Sequence, residues 1–249
     1  LSHSLAASEN VFLDRVVADE AIFVNADIWY GFGGADEGQP FFLDTYQPTS
    51  PDLPSTLPAL IYVHGGAFTQ GDKADQPAPL YCLEFARRGY VVFSINYTLD
   101  GTVESASLDA AEAVRWVKEN AESYNVDPNR IAIGGHSAGA ATALNVGVLE
   151  ADGLGGPGAE VAAVLNSAGG AFVDLDEVDA GDPPIFIING TEDMLAPVES
   201  ARNLANRLES LSSAVEGFVY PYSFMEVEGA GHSFLPGTGT GMPLPPLVA

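Results

Sequence analysis

Three side chains of this 249-residue chain could together perform nucleophilic chemistry: Ser137, Asp193 and His232. Ser137 stands at the centre of Gly135-His136-Ser137-Ala138-Gly139, between a β-rich run and an alanine-rich run. That pattern reads as strand, sharp turn and helix, with Gly135 and Gly139 removing the Cβ atoms that would clash in a strained turn. It presents the Ser137 hydroxyl at a helix N-terminus, where developing negative charge is favoured. A serine is a poor nucleophile until a base takes its proton, which directs attention to the four histidines, His3, His64, His136 and His232. His3 lies in the first few residues, His136 is held in the serine turn and His64 belongs to a glycine-rich loop. His232, in Glu228-Gly229-Ala230-Gly231-His232-Ser233-Phe234, follows the last apolar run and is the expected base.

An imidazole base needs a carboxylate to fix its tautomer and stabilise its charged form. Asp193 follows the apolar run 184–188 and precedes a helical pattern, with Glu192 its close competitor and Asp182 on the wrong side of the strand. Asp193 also suits a turn or helix cap. The chain order Ser, Asp, His favours the orienting role. Acyl transfer further requires N–H donors for an oxyanion. Ala138, just after the serine, offers one, and His64-Gly65-Gly66-Ala67-Phe68 can supply more, from Gly66 and Ala67. An ordinary glycine turn after a strand would explain that loop if the serine turn were absent.

Positioning these groups requires strands that end at one sheet edge. The chain expected to do so reads as β segments at 11–24 and 41–46, separated by a turn-rich 31–40. Buried strands follow at 59–63, 90–96, 131–134, 161–166 and 184–188, with a final strand at 217–227. Helical patterns cover 77–88, closed by Gly89, and 107–124, 138–149 and 197–211. Short apolar strands alternating with helices predict a mainly parallel sheet of about eight strands, antiparallel at its N-terminal edge, with helices on both faces. Residues 1–249 suit one domain, with a Gly/Pro-rich tail at 235–249 expected to close over the last strand. The tail includes Leu235-Pro236-Gly237-Thr238-Gly239, which matches a cell-wall sorting pentapeptide but is followed by no basic, membrane-length segment.

Composition narrows the partners. Nine basic against 34 acidic residues give a net charge of −25, which should repel nucleic acid and anionic membranes. An acidic, well-solvated exterior explains this charge. Adaptation to salt is a sharper reading, tested by whether the melting temperature rises from low to molar NaCl. A hydrophobic content of 47% excludes a disordered chain, and no apolar run approaches the roughly 20 residues of a membrane span. The first ten residues lack a signal-peptide pattern. A soluble protein is expected, with secretion favoured over the cytoplasm. Cys82 stands alone in an apolar helical stretch and reads as core filler. No metal site or cofactor is expected.

From residue 57 to residue 232 the chain resembles the α/β-hydrolase superfamily, and within it the hormone-sensitive-lipase-like and feruloyl-esterase-like carboxylesterases. The resemblance rests on His64-Gly65-Gly66-Ala67-Phe68, Gly135-His136-Ser137-Ala138-Gly139, Asp193 and His232, in that order. It implies Ser137 as nucleophile, His232 as general base and acid, and Asp193 as orienter. Gly66, Ala67 and Ala138 would be the oxyanion donors, while His64 and Gly65 shape the loop. Ala67 replaces a glycine common in relatives, there is little room for a cap, and the tail does not supply the usual final helix. The implied activity is a cofactor-free serine carboxylesterase acting on short-chain or aryl and cell-wall-type esters, small or polymer-linked. An arylformamidase or amidase would use the same three residues, and a non-catalytic binding protein could occupy the same fold. Phe68, Tyr81, Phe172 and Phe234 could line the pocket or belong to the core. Oligomeric state is not legible.

Overall fold

A computed structural model describes residues 14–33, 38–148, 156–214 and 218–234. Its strands, in chain order, are β1 (Ile22–Gly33), β2 (Gln39–Pro48), β3 (Leu57–Val63), β4 (Val91–Ile95), β5 (Val126–His136), β6 (Ala163–Ser167), β7 (Ile185–Gly190) and β8 (Tyr222–Val227). They form one sheet in the order β1-β2-β4-β3-β5-β6-β7-β8. β1 and β2 pair antiparallel, as do β2 and β4, and every other pairing is parallel. This is the α/β-hydrolase architecture. Its helices are α1 (Ala78–Ala86), α2 (Val103–Glu119), α3 (Ala138–Val148) and α4 (Val198–Ala214).

The parallel strands are continuous apolar runs because both of their faces are covered. Every residue of β3, Leu-Pro-Ala-Leu-Ile-Tyr-Val, is buried. Alternation then divides them between two cores. Leu60 and Tyr62 face α1, packing with Tyr81, Cys82 and Phe85. Ile61 and Val63 face the other side, with Val114, Leu144 and Leu204 from α2, α3 and α4. Cys82 is fully buried, and burial raises its thiol pKa. The central helix α3, Ala-Gly-Ala-Ala-Thr-Ala-Leu-Asn-Val-Gly-Val, is buried along its whole length. Its small residues let it lie close to the sheet.

Register brings the chemistry to one edge. Val63 pairs with both Ile95 and Gly135, His136 with Ser167, and Gly190 with Val227. The loops that leave β3, β5, β6, β7 and β8 therefore emerge side by side, where ligands collect in open α/β sheets.

Several boundaries differ from the sequence expectation. Among the described residues the first strand is Ile22–Gly33, where one at 11–24 is expected, and it runs into the stretch read as a turn. Gly31, Phe32 and Gly33 pair with Phe41, Pro40 and Gln39, so cross-strand pairing overrides the glycines and carries the strand through them. Residues 14–21 do not join the sheet; Val16 and Val17 donate their N–H groups to Arg87 O instead. Helix α2 starts at Val103 because Thr102 caps it, accepting the Ser105 N–H at 3.3 Å. It ends at Glu119, and Ala121–Tyr124 is a separate 3₁₀ turn closed by left-handed Asn125. β5 begins earlier than expected, at Val126. β8 begins later, at Tyr222, immediately after Pro221, which has no N–H to pair. Residues 11–13 of the expected first strand, 34–37 of the expected turn, Leu149, Gly217 and the tail 235–249 lie outside the described residues.

Candidate active site

Ser137 links β5 to α3 in a left-handed conformation, φ +58°. A non-glycine residue there is strained and must be held by its surroundings. Its N–H donates to Ser167 O at 2.9 Å, and its carbonyl accepts from Ala140 and Ala141 at 3.0 and 3.1 Å. The two flanking glycines serve close approach. A Cβ at Gly139 would lie 2.0 Å from Val63 O, and one at Gly135 would lie 2.3 Å from the same oxygen. The turn is thus pressed against the end of β3, and no larger residue fits at either position.

His232 reaches this serine from the loop after β8. Its Nε2 is 2.8 Å from Ser137 Oγ, and its Nδ1 is 2.8 Å from Asp193 Oδ2. The Asp193 side chain is fully buried. Its second oxygen, Oδ1, accepts the N–H groups of Leu195 and Ala196 at 2.9 and 2.8 Å. The turn role and the histidine contact, read from sequence as alternatives, belong to the two oxygens of one carboxylate. Glu192 is exposed. A carboxylate only accepts hydrogen bonds, so the proton of His232 resides on Nδ1 and Nε2 presents a lone pair to the serine.

The glycine loop after β3 lies against the same serine. A Cβ at Gly65 would lie 2.9 Å from His136 O and 3.2 Å from Ser137 Cβ. Gly66, Ala67 and Phe68 have successive positive φ values of 127°, 54° and 63°. The ring of His64 anchors this loop: it stacks on Tyr97 at 4.5 Å, and its Nδ1 lies 2.7 Å from Gly65 O. Burial keeps the His64 pKa below its ordinary value.

His136, read from sequence only as a turn residue, has a larger part. Its ring lies 5.0 Å from that of His232 and 6.0 Å from that of Phe234, and its Nδ1 is 3.3 Å from Ser167 Oγ. Burial, then electrostatic repulsion from the neighbouring His232 ring, pushes its pKa down to about 4. Tyr81 completes this layer, with its hydroxyl 3.3 Å from Ser167 Oγ and 3.4 Å from Phe234 O. Ser167 carries no sequence signal of its own; only its pairing with His136 across β5 and β6 marks it.

A cavity of about 770 Å³ opens over Ser137 and His232, with Gly65, Gly66, Ala67, Leu195 and Phe234 in its walls. Of the four candidate aromatics, Phe234 lines it and Tyr81 is buried beneath. Phe68 packs against the core, and Phe172 is exposed outside the cavity. Among the described residues the segment 168–184 between β6 and β7 forms no helix, and no three acidic, histidine or cysteine side chains converge as a metal site. Nor is any described helix long and apolar enough to cross a membrane.

Comparison with known proteins agrees with this architecture. The family model for BD-FAE matches residues 43–168, which include both the glycine loop and the serine turn. The chain belongs to the BD-FAE family. It is 26% identical to the probable carboxylic ester hydrolase LipM of Mycobacterium tuberculosis, over 84% of this chain and 56% of that protein. It is 28% identical to esterase LipC of the same organism, over 76% of this chain and 57% of that protein. The chain thus spans a little over half the length of these curated relatives. Among solved structures, a truncated carbohydrate esterase from gut microbiota superposes with a TM-score of 0.70 at 22% identity, covering 87% of this chain and 91% of that one. Thermogutta terrifontis esterase 2, phosphorylated by paraoxon, superposes with a TM-score of 0.67 at 24% identity, covering 86% and 85%. These likenesses concern the fold.

Proposed function

We propose that this chain is a serine carboxylesterase, carried above all by His232 bridging Ser137 Oγ and Asp193 Oδ2 at 2.8 Å on each side. Family membership and relatives named as carboxylic ester hydrolases support the same reading. Ser137 Oγ attacks the ester carbonyl carbon while His232 Nε2 takes its proton. Asp193 holds the ring in the required tautomer and stabilises the imidazolium. The carbonyl oxygen, now an oxyanion, receives N–H bonds from Gly66, Ala67 and Ala138. The His64 ring and Gly65 shape the loop that carries two of those donors. His232 then passes its proton to the leaving alcohol, and the acyl group remains on Ser137. Water, deprotonated by His232, attacks this acyl-serine and releases the acid.

The substrates fitting this reading are short-chain or aryl and cell-wall-type esters, small or attached to a polymer. Turnover of para-nitrophenyl esters from acetate to laurate, with Ser137→Ala beside the parent, tests it. Activity that falls with acyl length and vanishes in the variant is expected. Activity on no ester, or activity surviving the substitution, overturns the proposal.

A further inference from the structure

One wall of the cavity over Ser137 carries two carboxylates and, among the described residues, no cationic side chain. Asp72 and Asp75 line it beside Gln70, Gln76 and His64, and among the described residues no lysine or arginine does. His64 is 4% exposed, and its Nε2 has no hydrogen-bond partner. The other ring nitrogen is occupied: Nδ1 lies 2.7 Å from Gly65 O, and a carbonyl oxygen only accepts, so Nδ1 carries the proton. Nε2 is therefore a buried acceptor without a donor, a group that costs free energy until one arrives. Gly71, at φ +110°, closes the loop onto the Nδ1 edge, where a Cβ would lie 2.6 Å from Nδ1.

The nearest cation does not neutralise this wall. Lys73 Nζ lies 2.8 Å from Asp27 and 3.0 Å from Asp44, and only 4.0 Å from Asp72. Three carboxylates thus share one ammonium. Burial pushes the Asp72 carboxyl up, but the Ala74 N–H, the Asn96 amide and Lys73 outweigh it and hold Asp72 below its ordinary value. The net charge of −25 adds a field of the same sign.

We infer that the site selects esters by charge, favouring those whose non-reacting end carries an ammonium group, with Asp72, Asp75 and His64 as the specificity-determining wall. The inference rests on the esterase reading, and its test separates the two. The probes are ethyl 6-aminohexanoate, whose ammonium N–H can donate to an acceptor such as His64 Nε2, its uncharged isostere ethyl heptanoate, and the anionic monoethyl adipate. The kcat/KM for the cationic ester should exceed that for the isostere by about tenfold at low ionic strength, with the anion slowest. The ratio should fall toward one at about 1 M NaCl, where the Debye length is roughly 3 Å. It should fall likewise in the Asp72→Asn/Asp75→Asn double variant.

Turnover of the neutral ester with a cationic-to-neutral ratio of one or less overturns the charge inference and leaves the esterase reading standing. A binding measurement reads the wall without turnover. Ser137→Ala should bind ethyl 6-aminohexanoate more tightly than ethyl heptanoate by calorimetry, and equal or weaker binding overturns the inference even if no ester is hydrolysed.

Discussion

The rings of His136 and His232 lie 5.0 Å apart, with 46° between their planes. Two imidazoles this close resist double protonation, and burial already holds His136 neutral down to about pH 4. The unfolded chain protonates this histidine near its ordinary value of 6.5 and so binds more protons between the two values. The stability contributed by neutral His136 is complete above about pH 6.5 and is lost as pH falls toward 4. The full loss is roughly 3 kcal/mol. Urea unfolding at about pH 7 and pH 4.5 should show His136→Phe losing less stability than the parent by about 2 kcal/mol. Equal losses would remove this residue from the acid sensitivity.

Asp193 divides its labour between two oxygens, which separates two substitutions. Asparagine keeps an acceptor for the Leu195 and Ala196 N–H groups but offers a donor where His232 needs an acceptor. Asp193→Asn should retain the parent's melting temperature within a few degrees and lose roughly 10⁴-fold in kcat. Asp193→Ala should also lower the melting temperature, since two buried N–H groups lose their partner. Steady-state kinetics and calorimetry on both variants check the division.

The serine turn tolerates no added atom at its flanks. Gly139→Ala places a carbon 2.0 Å from a backbone oxygen that cannot swing aside. Overpacking of this kind costs about 3 kcal/mol. For a chain of this size that is a fall of roughly 6–12 °C in melting temperature. A change under about 2 °C would show that the turn can move away from β3.

Lys73 ties the loop after β3 to the first two strands, with a side chain as buried as its partner Asp44 at 6% exposure each. Lys73→Met strands the Asp44 charge and should cost about 3–5 kcal/mol. Adding Asp44→Leu should recover much of that, because both charges are then gone. Denaturant curves on the single and double variants decide; an equally unstable double variant would mean that packing of the loop, rather than the buried charge, is what fails.

The residues that meet at the site were readable because each announces itself locally. Gly135 and Gly139 flank a serine, Gly65 and Gly66 follow a buried strand, and Asp193 and His232 follow apolar runs. What was not readable depended on pairing between distant segments. Nothing local says that Gly31 to Gly33 continue a strand, since the partner is Gln39 to Phe41. The placement of His136 against His232, and of Ser167 and Tyr81 beneath them, arises only when β5, β6, α1 and the last loop are assembled. Helix α2 is an intermediate case: its apolar spacing was plain, but its start lay in the Thr102 cap rather than in the apolar residues.

The three central groups are not equally secured. Ser137 and Asp193 are each fixed by backbone hydrogen bonds at the end of a buried strand. His232 sits beyond Gly229 and Gly231 on a loop attached by a few bonds, including Glu192 N–H to Ala230 O and Gly229 N–H to Thr191 Oγ1. Local opening of such a segment needs far less free energy than global unfolding. Heat should therefore silence this protein before it melts it, and recooling should restore what was lost.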